Sequence, residues 1–334
     1  MAKAKVAALK FSKTKIKIFC SEMLGTILVL GGMVIFIIQP DVYMQAFSGG
    51  LKIFVLNVLP ALFPFFFFTK LLTSFGFASK LGKVFAKPMK KLFRTPAVSG
   101  YVFVMSLLSG YPIGAKLTAD LFENQFITRD EALSLTAFCS TSGPLFILGT
   151  VGGFFENYKF ALLLLLTNYL SAFLNGFIYR NKKTVEEDFL PQTTVDKAMG
   201  SIIYDSIISI LIVGGFIAIF NMIADMLSNL GVSSFVGNAF DKVFSFAPRG
   251  SGYALFVGII EMTRGSLLLS DFGANTVTAC LTSFILAFGG LGIAMQSITF
   301  LQKCKISALD YLLRKLTQSV IACVLAIPLS FLLL

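Results

Sequence analysis

Glu261-Met262-Thr263-Arg264-Gly265-Ser266 places a carboxylate, a guanidinium and two hydroxyls within six residues of an otherwise largely apolar stretch, 249–271. An earlier run, Ser109-Gly110-Tyr111-Pro112-Ile113-Gly114-Ala115-Lys116, surrounds a helix-breaking Gly-Tyr-Pro with a hydroxyl, a phenol and an ammonium. Thr141 and Ser142 precede Gly143-Pro144, and Gln296 follows the pair Gly289-Gly290. Charge inside an apolar segment is costly and points to function. Side chains of these types suit binding and orienting a solute rather than breaking bonds. The chain has no histidine, the usual proton relay or imidazole ligand. It also lacks a phosphate loop and a Gly-x-Ser-x-Gly elbow, so an enzyme is not expected. Cys20, Cys139, Cys280, Cys304 and Cys323 show no metal-ligand spacing, and no metal or cofactor is expected.

The elements that position these groups must work in lipid. With 56% hydrophobic and 13% charged residues, the chain is far more apolar than a soluble domain. Apolar runs near 17–38, 51–74, 131–151, 158–179, 200–224, 275–301 and 315–333 are long enough to cross a hydrocarbon core. The net charge of +11 is arranged by topology. Basic clusters lie at 3–17, 80–94, 180–183 and 303–305, while 39–50 and 152–157 have no Lys or Arg. By the positive-inside rule the clusters face the cytoplasm and its anionic lipid headgroups, and nucleic acid is not an expected partner. The chain is thus read as a multi-pass protein of a bacterial cytoplasmic membrane, N-terminus inside and C-terminus outside. The 77–94 stretch alternates apolar and basic residues and is expected to lie along the interface as an amphipathic helix.

The same rule decides the path of 97–122. If that segment crossed the membrane, the 180–183 cluster would lie outside; if it dips and returns, every cluster stays inside. It is read as a re-entrant hairpin broken at Gly110-Tyr111-Pro112, with Pro112 in the first turn of its second arm. Segment 249–271 is read as an opposed hairpin, broken near Thr263-Arg264-Gly265 with Thr263 as N-cap. The landmarks repeat: Ser99-Gly100-Tyr101 matches Ser251-Gly252-Tyr253, and Gly143-Pro144-Leu145 matches Gly289-Gly290-Leu291. The fold expected is therefore an all-α membrane protein with an inverted repeat, two opposed re-entrant hairpins and about seven full spans. Its parts are a basic tail and first span (1–45), a first repeat (46–183), a polar cytoplasmic linker (184–199) and a second repeat (200–334).

Helix breaks at membrane depth need compensation, because bare backbone groups cost several kcal/mol there. If the two hairpin tips and the breaks at 140–144 and 287–292 converge, they form a polar pocket. Arg264 then either holds a substrate carboxylate or neutralises Glu261 at i,i+3. Lys116 either assists it, pairs with Asp120 or snorkels toward the cytoplasm. Glu261 is open to substrate, cation or proton, and Gln296 either lines the pathway or satisfies Ser297.

The Ser109–Lys116 run and Phe138-Cys139-Ser140-Thr141-Ser142-Gly143-Pro144-Leu145-Phe146-Ile147 resemble the sporulation integral membrane protein family of YlbJ type. That family belongs to the nucleoside-recognition, or Gate-domain, membrane proteins. Glu261–Ser266, Gly290-Leu291 and Gln296 are similar to its second-half motifs, and the resemblance covers about 46–334. It implies two Gate-like repeats related to concentrative nucleoside carriers, and export of a small anion such as dipicolinate during spore formation. Two departures fall at the expected pocket: Ser140 for an expected Asn, and Phe288-Gly289 for an expected Trp-Ser pair. The leading expectation is a secondary carrier or facilitator for a small anion. A non-transporting scaffold or sensor in spore or envelope assembly, and a nucleoside carrier, are the alternatives. A coupling proton or sodium ion and a homo-oligomer complete the expected partners.

Overall fold

The computed structural model describes residues 23, 25–27, 29–182 and 199–334, which are helical apart from turns and breaks. The basic tail and most of the 184–199 linker lie outside the described residues. Two units are present. In the first, up to Ala46, the described residues are helical and the Phe36 and Tyr43 rings stack with centroids 6.5 Å apart.

In the second unit, Phe47–Leu334, a helical stretch to Val58 precedes two series of elements. First come α1 (Leu59–Ser74), α2 (Phe77–Pro88), a hairpin of α3 (Ser99–Ser109) and α4 (Ile113–Glu123), then a broken span and α7. The broken span consists of α5 (Arg129–Leu135), a non-helical stretch, a π-helical turn over Phe146–Val151 and α6 (Gly152–Phe155). The following helix is α7 (Tyr158–Ile178). The second series is α8 (Met199–Asn229), α9 (Val232–Val243), a hairpin of α10 (Ser251–Ile260) and α11 (Met262–Ser270), a broken span of α12 (Thr276–Phe288) and α13 (Gly290–Leu301), and α14 (Ala308–Leu333).

Among the described residues, four helical segments are long and apolar enough to cross a membrane: 158–178, 199–229, 276–304 and 308–333. They match four expected spans. The 131–151 span departs from expectation, because it is not one kinked helix. A capping box starts α5, with Glu131 accepting from the Thr128 amide at 2.7 Å. The helix then stops at Leu135 and helical structure resumes only at Pro144, where proline needs no donor.

Packing exchanges parts between the two series. The second arm of each hairpin lies against the far part of the other broken span: α4 against α13, and α11 against the 146–155 segment. Helices α7, α12 and α14 pack together, and α1 packs on α8. Helix α2 is amphipathic as its sequence requires. Met89 and Phe93, just beyond it, are buried while Lys83, Lys87 and Lys91 are exposed. Phe93 stacks on Phe138 at 4.2 Å and meets Phe173 edge-on at 5.5 Å, tying this helix to the first broken span and α7.

Candidate functional site

The first hairpin turns where expected, and its tip rests directly on backbone. Gly110 has φ +76°, a conformation suited to glycine, and a Cβ there would lie 2.3 Å from the Gly143 nitrogen. Pro112 stands one residue before α4 as its N-cap, not within its first turn. The broken span fits against this tip through Thr141, whose Oγ1 lies 3.3 Å from the Ser106 carbonyl.

The second hairpin breaks at Glu261, two residues earlier than the sequence suggested. Thr263 is not the N-cap. The Glu261 carboxylate takes that role, accepting from the amides of Thr263 at 3.0 Å and Arg264 at 2.7 Å. A carboxylate offers two acceptor oxygens to the bare amides of a helix start, where a hydroxyl offers one, and its charge suits the dipole.

The second broken span ends α12 at Gly289, with φ +85°. That exposes carbonyls at the end of α12, and residues from the first series satisfy them. Tyr111 Oη donates to Ala287 O at 3.0 Å, and Ser142 Oγ donates to Leu286 O at 3.1 Å. The reverse also holds. Lys315 Nζ of the second series donates to Ser140 O at 2.7 Å, while Ser142 O is satisfied from within the first series by Asn168 Nδ2 at 3.3 Å. All four breaks therefore meet: Tyr111 and Ser142 satisfy carbonyls at the end of α12, and Gly290 lies against the backbone of the second tip at Met262.

A cavity opens at this junction, with about 560 Å³ of empty space counting its open side. Its polar lining is Ser109, Tyr111, Ser142, Glu261, Thr263 and Gln296. Its apolar wall includes Val58, Leu62, Phe146, Val213, Phe216, Ile217 and Ile293. Gln296 is 2% exposed, and neither its Nε2 nor its Oε1 has a hydrogen-bond partner. The amide therefore does not satisfy Ser297. Buried amides without partners are rare and mark a place for a ligand or water.

Five expected site residues stand outside that lining. Gly110 and Thr141 hold the first tip to its broken span. Ser266 bonds back to Met262 O at 2.8 Å within α11. Lys116 lies beside Lys70, which pairs with Asp205 at 3.6 Å. Arg264 turns away from the cavity and ion-pairs with Asp225 of α8, with Asn221 also in reach at 3.4 Å. It therefore stands outside the cavity lining with Asp225 as its ion-pair partner, while the Glu261 oxygens bond backbone amides. The distant acid wins because the Glu261 carboxylate is already held at the helix start. Arg264→Gln is expected to cost about 1.5–3 kcal/mol, the worth of a charged hydrogen bond. Adding Asp225→Asn should recover most of it, as thermal melting of the single and double variants would reveal.

The sequence reading missed Lys315, which is fully buried on α14. Its ammonium donates to Tyr111 Oη at 2.6 Å, Ser140 O at 2.7 Å and Gln318 Oε1 at 2.6 Å. It also missed Asn168 and Asn175 on α7, the latter donating to Ala137 O at 2.8 Å. The signal was present: Asn168 and Asn175 are seven apart in an apolar span, on one helix face. Among the described residues no cluster of His, Cys, Asp or Glu is built to hold a metal.

Residues 55–157 match the Gate family model, described as nucleoside recognition. The chain also superimposes on solved structures of CNTnw. An intermediate-1-state structure of a CNTnw variant gives a TM-score of 0.53 at 13% identity, covering 92% of this chain and 85% of that one. An outward-facing variant gives 0.50 at 14%, covering 93% and 86%. The chain thus shares the fold of CNTnw, and it is an integral membrane protein. More particularly, it is 31% identical over 316 residues to the sporulation integral membrane protein YlbJ of Bacillus subtilis (strain 168), covering 86% of this chain and 77% of that one. The chain belongs to that family. An uncharacterized protein of Alkalihalophilus pseudofirmus is 29% identical over 150 residues, covering 44% of this chain and 31% of that one.

Proposed function

We propose that the chain is a secondary transporter or facilitator that carries a small, flat metabolite with a polar edge across a bacterial membrane. The observation that carries this reading is the meeting of four helix breaks around a cavity with an unpartnered Gln296 amide. A structural core has no use for such an arrangement, since each break costs backbone hydrogen bonds in lipid. In this reading the two series of elements are inverted repeats in about seven spans, with the N-terminus and basic clusters inside. Alternating access then exposes the cavity to one side and then the other.

The solute we favour is a small anion of the dipicolinate-like class. Two features support it on the first-hairpin side. The start of α4 faces the junction, and the Lys315 charge behind Tyr111 has no carboxylate beside it among the described residues. Membership in a family with a sporulation protein agrees with that class. The nucleoside class is the second reading, and Glu261 favours it. That carboxylate lines the cavity and retains lone pairs for hydroxyl or N–H donors of a sugar or base.

Binding to purified protein separates the two. A solute at a hundred times its dissociation constant stabilises the folded state by about 2.7 kcal/mol. A rise in melting temperature with dipicolinate but not with nucleosides is the expected result; the reverse selects the nucleoside reading. Gln296→Leu should leave the empty protein as stable or more stable, because it removes two unpartnered polar atoms. It should weaken solute binding about two- to tenfold, the worth of one neutral hydrogen bond.

A further inference from the structure

A cage of oxygens encloses the Lys315 ammonium. Its ammonium has three N–H donors and meets three oxygens: a backbone carbonyl freed by a helix break, a phenol at a hairpin tip and a side-chain amide. Tyr111 donates its own proton to Ala287 O, so its oxygen is free to accept. Lys315, Gln318 and Ser140 are 0%, 0% and 3% exposed. Among the described residues none of the oxygens belongs to an acid, and no carboxylate pairs with this lysine.

An all-oxygen shell of neutral dipoles around a single positive charge, built on unwound backbone, is how transporters of this architecture hold alkali-metal ions. A lysine that only filled space would need no such shell, and one that served an ion pair would have an acid beside it. We propose that this cage is a monovalent-cation site occupied permanently by a tethered cation, the Lys315 ammonium. Removing the side chain back to Cβ then uncovers a site for free Na+ or K+. The consequence for transport rests on the transporter reading. A charge bound covalently to α14 cannot leave with the solute, so this cage supports facilitated movement or exchange rather than sodium symport.

The test needs no transport substrate, so its failure is separate from failure of the transporter reading. Purified wild-type protein and Lys315→Ala are melted in choline chloride, NaCl and KCl at equal ionic strength. Wild type should melt identically in the three salts. Lys315→Ala should melt lower in choline and regain on the order of 5 °C in NaCl or KCl, saturating with concentration. Lys315→Met, which refills the cage with an apolar chain, should not respond to cations. If Lys315→Ala fails to fold in choline, recovery of folded protein when Na+ or K+ is present throughout purification supports the site. Equal loss in all salts overturns it, as does a Lys315→Ala melt indifferent to cations, or a saturable Na+ response of the wild type.

Discussion

Gly114→Ala is expected to abolish the folded protein, or to lower its melting temperature more than any other single methyl addition in the hairpins. A Cβ at that position would lie 1.6 Å from the Cys139 carbonyl oxygen, a backbone atom that cannot swing aside. Overpacking usually costs about 1–3 kcal/mol and occasionally more, and rigid backbone contact belongs at or beyond the top of that range. Gly153→Ala is the control. A Cβ there meets nothing within 4 Å, so alanine in that short helix should be neutral or stabilising by about 0.5–1 kcal/mol. Size-exclusion profiles and melting curves of the two variants should diverge. Equal behaviour would mean that α4 does not lie against the first break.

Tyr111→Phe should produce the largest effect of any side-chain change at the junction. Its hydroxyl accepts from Lys315 and donates to Ala287 O, so removing one oxygen leaves an ammonium donor and a carbonyl unpartnered in a buried setting. Each such group costs about 1–3 kcal/mol, more where it is charged. A loss of about 2–6 kcal/mol follows, with the ring still in place to fill the same space. The two losses are coupled. In a Lys315→Met background the orphaned donor is gone, so Tyr111→Phe should then cost roughly half as much, a non-additivity that a double-mutant cycle reads directly. Simple additivity would show that the Tyr111 hydroxyl and Lys315 do not share a bond.

The sequence made the first hairpin legible because Gly110-Tyr111-Pro112 and the flanking Ser-Gly-Tyr are local signals, and the structure turns at those residues. The break at Gly289 was legible for the same reason. The second tip lies two residues before the expected break because its cap is a carboxylate, and in the sequence Glu261 reads as a charge rather than as a backbone acceptor. Arg264 was judged against local partners at helical spacing. Asp225, thirty-nine residues earlier, is brought to it only by the packing of α8. Lys315 was hidden by a boundary. The span was expected to begin at 315, which put the lysine at the interface, whereas α14 begins at Ala308 and carries it two turns inward. Helix α9 went unread because its polar face is mostly Ser, Asn and a late Asp-Lys pair, too weak a signal beside the basic face of α2.

In the proposed function, the cavity at the junction of the four breaks carries a solute through the membrane. Uptake into liposomes containing the purified protein tests it most directly, with labelled dipicolinate and labelled nucleosides supplied in turn. Saturable entry of one of them, dipicolinate first, is expected, and at subsaturating solute it should be about two- to tenfold weaker with Gln296→Leu although that variant folds. Entry of neither into vesicles holding folded protein in both orientations, or entry unchanged by Gln296→Leu, would contradict it; the first result would leave the scaffold reading in its place.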